Sequence, residues 1–209
     1  ARLQYDGPFS ESTEDKEPEG LGDEEVDKET AKTKAAEFLE IKLSELEPAN
    51  ELKGEIECFG FSGETNGNPF TIYISKMGGQ VLWYMSERQG GISAVPTDAK
   101  YAQLTSRAKE FLKKKGYGET AASYAQFYNG MAVINLAPVQ NGVVLYPDLI
   151  KVWMDIAKLE VAGIDTNNYL MSHISRDLGQ PQISEEEAKS YLTQEMVVSK
   201  TRLALIPKD

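Results

Sequence analysis

Histidine and cysteine are almost missing from this 209-residue chain, which has one of each, His173 and Cys58. A single cysteine cannot form an internal disulfide, so the fold does not depend on an oxidising compartment and is not excluded from one. A single histidine rules out a multi-histidine metal centre, and no Cys-x-x-Cys pair supplies thiolates instead. No metal or other cofactor is therefore expected. Long apolar runs are also lacking: "MAVINLAPV" is typical of the longest, far short of the roughly 18 residues that suggest a membrane span. The opening "ARLQYDGPFS" has neither the basic nor the apolar region of a signal peptide, so any anchor or export signal is expected upstream. Two familiar catalytic signatures are absent as well, the Gly-x-Ser-x-Gly elbow and a lysine-bearing phosphate loop. The glycines of "MGGQ", "RQGG" and "GYGE" fall where turns need positive φ.

Bases are outnumbered, 22 Lys and Arg against 33 Asp and Glu, for a net charge of −11. Residues 1–26 alone contribute −7, which leaves −4 for the rest. Nucleic-acid binding needs clustered cations, and the one compact basic run, Lys113–Lys115, sits at a predicted helix end, where cations complement the helix dipole. Nucleic acid is not an expected partner.

With 41% hydrophobic residues the chain can fill real cores. Residues 1–26 are the exception: acidic, rich in Gly and Pro and without periodicity, they read as a largely flexible linker. Within them Tyr5 and Phe9 flank an Asp-Gly-Pro turn that could dock on a neighbouring surface.

Beyond the linker one phrase recurs. Ala35, Phe38 and Leu39 in "TKAAEFLE" are matched by Ala108, Phe111 and Leu112 in "SRAKEFLKKKGYG" and by Ala188, Tyr191 and Leu192 in "EEEAKSYLTQ". The spacing suits repeated small domains. In the first unit, residues 27–94, an apolar stripe predicts a helix from Asp27 to Leu46 that Pro48 stops. The strands "LKGEIECFGF", "PFTIYISK" and "QVLWYMSER" follow, joined by turns at "SGETNGN" and "MGG". The second unit, residues 95–180, repeats the order with Asp98 as helix cap and Gly116 past the helix end. Its strands are "ASYAQFYN", "MAVINLA", "GVVLY", "LIKVWMDIA" and "LEVAGID", followed by a short helix at "TNNYLMSHI". The third unit, residues 181–209, begins with a capping box at Ser184 and Glu187 and stops after one strand, "KTRLALIPK". It is incomplete: either its missing strands were removed or lie downstream, or its strand pairs with another unit or another molecule. The fold class is α+β: tandem small domains, each a helix on an antiparallel hairpin sheet.

Each candidate for chemistry has a plain structural reading. For nucleophilic catalysis Cys58 and His173 are the only possible Cys/His pair, but Cys58 lies in an alternating strand and His173 at a helix end. Glu55 and Glu57 share a strand face and could in principle work as paired carboxylates on a glycan, though such acids are usually solvated. No catalytic residue is assigned. What remains is surface. Tyr73, Trp83, Tyr84, Tyr124, Phe127, Tyr128 and Trp153 lie on both faces of the sheets, and most must be core, but a sheet covered by one helix keeps an open face and free edges that suit protein contacts.

The repeated helix-and-hairpin unit resembles the PepSY domain, and "LQYDGPFSE" ahead of such repeats is similar to the YpeB family of spore germination proteins. "IKVWMDIAKLEVAGID" has the PepSY strand, turn, strand shape, with Ala157 and Lys158 where Thr-Gly is usual. The resemblance implies a C-terminal region of a larger, membrane-anchored protein of the bacterial endospore, associated with the inner membrane and facing the cortex. It implies no enzyme activity and no cofactor. It implies a protein partner, the cortex-lytic enzyme SleB, which such proteins stabilise or restrain. Two alternatives stay open: a carboxylate-dependent cortex peptidoglycan hydrolase and a peptidase-inhibiting PepSY module. A homodimer formed by strand exchange of the third unit is a further expectation. No partner-binding residue carries over.

Overall fold

The computed structural model describes residues 17–88, 95–181, 183–193, 197–198 and 200–206; the Tyr5–Phe9 turn lies outside them. Helix α1, Lys28–Leu39, is capped by Asp27, whose carboxylate accepts from the Thr30 amide at 2.8 Å. It ends at Glu40, in the left-handed region at φ 59°, rather than running on to Leu46. Leu43–Glu45 form a separate 3-10 turn. Pro48, expected to stop a helix, instead lies in strand β1, Glu47–Leu52, opposite Phe61. An edge strand tolerates the missing amide proton, and β1 pairs only with β2.

Strands β2 (Cys58–Thr65), β3 (Asn68–Ser75) and β4 (Val81–Ser86) complete the first unit as a meander. Helix α2, Asp98–Lys114, takes its cap from Thr97, one residue before the expected Asp98. Then come β5 (Thr120–Tyr128), β6 (Met131–Gln140), β7 (Val143–Leu145), β8 (Ile150–Asp155), β9 (Glu160–Asp165) and helix α3 (Asn167–Ser172). Three hairpins turn on Asn-Gly pairs with both residues at positive φ: Asn66-Gly67, Asn129-Gly130 and Asn141-Gly142. That conformation matches the strand twist and is nearly reserved to Asn, Asp and Gly.

The strands form one sheet in the order β1-β2-β3-β4-β9-β8-β6, with β5 also on β6. Its middle seam joins the last strand of each unit antiparallel, through Trp83 opposite Asp165, Tyr84 opposite Ile164 and Met85 opposite Gly163. Both helices lie on the same face and bury their Ala and Leu stripes in one core. Ala31 and Ala35 of α1 and Leu104, Ala108 and Leu112 of α2 pack with Phe61, Ile72, Ile134, Val152 and Ile164 of the sheet. The tandem α+β architecture expected from the repeats is therefore present, with the two units sharing a sheet and a core.

The third copy of the phrase behaves differently. Helix α4, Glu185–Ser190, is capped by Ser184, but Ala188, Tyr191 and Leu192 are exposed, Tyr191 at 72%. No strand of its own lies beneath it among the described residues, so the expected core stripe has nothing to bury against. Strand β10, Ala204–Leu205, pairs parallel with β7 of the second unit.

Residues 17–26, read from composition as part of the linker, form a strap across the two units. The Glu19 and Gly20 amides donate to the Met171 and Leu170 carbonyls of α3 at 3.1 and 2.8 Å. The Val26 amide donates to the Lys76 carbonyl, and the Gly78 amide to the Glu24 carbonyl. A Cβ on Gly20 would come within 2.6 Å of the Tyr169 carbonyl oxygen, so only glycine fits this approach.

Candidate functional site

The sheet has a second face, away from α1 and α2, and it is only partly covered. A β-bulge in β4 sets two side chains there. Tyr73 faces Trp83 while Ile74 faces Val81, so Leu82 is the extra residue and both Leu82 and Trp83 turn outward. Leu82 packs with Ile56, Cys58, Leu170 and Met171, and the strap contributes Leu21 to this cluster. Tyr73 and Trp83 lie at its margin with ring centroids 5.9 Å apart. They line a cavity of about 430 Å³ together with Leu52, Thr71, Leu82, Asp165 and Asn167.

Across the seam, on the same face, Trp153 lies opposite Gly163, which lies opposite Met85. The indole Nε1 of Trp153 donates to the Tyr128 hydroxyl at 3.1 Å, and Tyr128 is 43% exposed. Each unit thus offers one half-buried tryptophan on this face. Arg88, just after β4, ties the two units together by donating to Asp155 at 3.5 Å, Glu160 at 2.9 Å and the Val161 carbonyl at 3.2 Å.

The face bearing the helices carries a cleft of about 510 Å³ at the C-terminal ends of α1 and α2, lined by Phe38, Glu40, Gln80, Lys115, Tyr117 and Tyr169 among others. Glu40 bridges the helices here, accepting from Lys114 at 2.9 Å and Lys115 at 2.7 Å. Hydrogen bonds from Lys114 and then Lys115 hold its carboxyl down to about 2. The Lys113–Lys115 run is therefore largely spent on Glu40 and the α2 terminus.

Sequence reasoning passed over a buried charge cluster. Asp148, fully buried, accepts from Arg176 Nη1 at 2.7 Å and Nη2 at 2.8 Å, and its Oδ2 lies 2.6 Å from His173 Nδ1. His173 also stacks on Tyr169, with centroids 4.2 Å apart, and Tyr169 meets Tyr117 edge-on at 5.1 Å. Three charge-assisted hydrogen bonds stabilise a carboxylate that burial alone would disfavour. The one available signal was "YPD" followed at 173–176 by His-Ile-Ser-Arg, and nothing in that spacing links the two segments.

Cys58 and His173 do not form a pair. The Cys58 thiol donates weakly to the Ile56 carbonyl at 3.6 Å, and burial pushes its pKa up to about 12, against the nearby Lys76 charge. Glu55 and Glu57 are exposed, and Glu57 accepts from Lys76 at 2.9 Å. Tyr84 and Phe127 face the helices and belong to the core. Burial, the larger cause, and Tyr169 raise the pKa of Tyr117. Among the described residues no group of three His, Cys, Asp or Glu side chains could hold a metal ion, and no helix is long and apolar enough to cross a membrane.

The fold and these surfaces define a tandem α+β protein of helix-on-sheet units that presents aromatic side chains on its open sheet face. A family model described as YpeB sporulation, PepSY1 and PepSY2 domains matches residues 1–179. The chain belongs to this YpeB sporulation protein family. The sporulation protein YpeB of Bacillus subtilis is 31% identical over 138 residues, 65% of this chain and 30% of that protein. Those of Halalkalibacterium halodurans and Oceanobacillus iheyensis are each 25% identical, over 67% and 95% of this chain and 30% and 44% of theirs. The chain thus spans less than half the length of these relatives. The solved C-terminal domain of Bacillus megaterium YpeB superposes with a TM-score of 0.75 at 26% identity, covering 88% of this chain and 82% of that one.

Proposed function

We propose that this chain is a noncatalytic binding region of a spore germination protein, which holds the cortex-lytic enzyme SleB in a stable or restrained form. Its place would be the endospore, outside the inner membrane and facing the cortex. The observation that carries this reading is the open sheet face on which the partly buried Trp153 donates to the hydroxyl of the exposed Tyr128. Aromatic anchors ringed by polar groups are what protein interfaces concentrate their binding energy on. Family membership supports the sporulation setting, and Glu55 and Glu57, both exposed, do not form a buried acid pair for glycan cleavage.

The test is to mix the chain with SleB at micromolar concentrations and follow sedimentation, cortex-fragment hydrolysis and protease resistance of the enzyme. A complex is expected, and Trp153→Ala is expected to weaken it about 30-fold, the effect of losing roughly 2 kcal/mol at an anchor. No complex and no change in activity or protease resistance would refute the proposal. Cortex hydrolysis by the chain alone would favour the carboxylate-enzyme alternative, and inhibition of secreted metallopeptidases the peptidase-inhibitor one.

A further inference from the structure

The cavity beside Trp83 gathers polar groups that the packing around it does not use. Two of its walls are the Tyr73 and Trp83 rings, tilted 43° to one another with centroids 5.9 Å apart, and Thr71, Asp165 and Asn167 line it with them. Among the described residues, the Tyr73 and Thr71 hydroxyls, the Trp83 indole N–H and the Asn167 carboxamide form no hydrogen bond to another side chain or to the backbone. Asp165 makes no ion pair with a described residue, although Lys151 lies opposite it on β8. Its one hydrogen bond there is accepted at Oδ1 from the Asn167 amide at 2.9 Å, which holds the carboxylate in one orientation. Donors and acceptors thus converge beside two aromatic faces that the β4 bulge fixes in place.

That inventory selects the chemistry of a ligand. An anion would meet the Asp165 carboxylate and no compensating charge, since no lysine or arginine lines the cavity among the described residues. An ammonium or guanidinium suits Asp165 and the ring faces, but it only donates, and the indole N–H and the carboxamide NH2 facing it would stay unmatched. A proline-rich peptide brings carbonyl acceptors without donors, which leaves the carboxylate unmatched instead. A hydroxyl both donates and accepts, so a ring that carries several of them satisfies the carboxylate, the indole and the carboxamide together. A pyranose with equatorial hydroxyls also presents faces made of C–H bonds, whose partial positive charge suits the negative face of an aromatic ring. The volume, about 430 Å³, falls within the range of small-molecule sites, roughly 300–1,000 Å³.

We infer that the Trp83 cavity is a saccharide site, which takes one pyranose ring of an uncharged glycan with its C–H face against the Tyr73 and Trp83 rings and its hydroxyls on Asp165, Asn167 and Thr71. The site is built by the first unit and the β9 end of the seam, whereas Trp153 and Tyr128 belong to the second unit. The inference does not rest on the proposed function: sugar binding and hydrolase binding are read separately, and either can fail alone.

The test uses the full chain with Trp153→Phe, which leaves Trp83 as the sole tryptophan. It is titrated at millimolar concentrations with chitotetraose and with cellotetraose, and in parallel with tetralysine and tetraproline. The expected result with at least one of the two sugars is a saturable blue shift of Trp83 emission and at least a twofold fall in its acrylamide quenching constant. Asp165→Asn, which keeps an acceptor for the Asn167 amide and removes the charge, is expected to weaken that binding about tenfold, the scale of one charge-assisted hydrogen bond. Tyr73→Ala, checked for folding by circular dichroism, is expected to weaken it as much. No response to either sugar overturns the inference, as does a response to tetralysine or tetraproline alone, or sugar binding that both variants retain in full. A second measurement needs no variant: saturation-transfer NMR on the parent chain. Transfer concentrated on the ring C–H protons of a sugar supports the site, and its absence with both sugars overturns it.

Discussion

Phe38 and Phe111 hold the same place in two copies of one helical phrase, and they meet edge to face across the seam, with ring centroids 5.8 Å apart at 85°. Phe38 also packs against Tyr84 of β4, at 6.5 Å, and lies under the Lys115 ammonium, at 5.1 Å. The repeated phrase therefore does two things. Its Ala and Leu positions seat each helix on the sheet, and its aromatic position joins the two helices to each other.

Phe38→Ala and Phe111→Ala should each cost about 2–3 kcal/mol, less than a fully buried phenylalanine because both are only partly buried. In a double-mutant cycle they should show a coupling of about 1 kcal/mol, the scale of an edge-to-face pair. Urea unfolding of the four proteins measures this, and strict additivity would show that the rings do not support one another.

Glu40 gives the seam a dependence on acid. Its pKa is depressed from 4.5 to about 2 by hydrogen bonds from Lys114 and Lys115. A depressed folded value stabilises the fold above the ordinary carboxylate pKa, and that contribution is lost as pH falls from about 4.5 through about 2. Glu40→Gln keeps the left-handed backbone and removes only the charge. Unfolding midpoints of the parent and of this variant should differ at pH 6 and converge by about pH 2.

Asp148→Asn should be the most damaging conservative change in the second unit. It leaves the Arg176 guanidinium without its buried counter-charge and should cost about 3 kcal/mol, whereas His173→Gln, which removes one hydrogen-bonding partner, should cost about 1. Denaturant midpoints at pH 7 separate the two values, and equal effects would contradict the assignment of Asp148 as the centre of the cluster.

Cys58 should be inert in the native protein. With its pKa raised to about 12 by burial it holds almost no thiolate at pH 8. A colorimetric thiol reagent should give no signal over minutes at that pH, and one equivalent per chain once urea is added.

The elements that were legible in the sequence are those set by local periodicity and turn chemistry. The stripe through Ala108 and Leu112 and the Asn-Gly hairpins at 66–67 and 141–142 state their own structure. Pro48 misled because the rule against proline concerns helix interiors and central strands, and β1 is an edge that only tertiary pairing reveals. Ala188, Tyr191 and Leu192 misled for the opposite reason: the stripe is local, but the sheet that would bury it is not beneath it. Of the candidate surface, the aromatics Trp83 and Trp153 could be named, but not their common face. That follows from the β4 bulge at Leu82 and from the β4 and β9 pairing, both long-range. Asp148 and Arg176 lie 28 positions apart with unremarkable neighbours, so their ion pair had no sequence signal.

The strap has a mechanical consequence. A pull transmitted through the residues before Glu17 would meet its backbone hydrogen bonds one after another: first those of Glu19 and Gly20 to α3, then that of Gly22 to the Gln80 side chain, and last those of Glu24 and Val26 to the β3–β4 turn. Bonds loaded in series peel at low force, so tension would be absorbed by this short zipper before it reached α1 or the shared core.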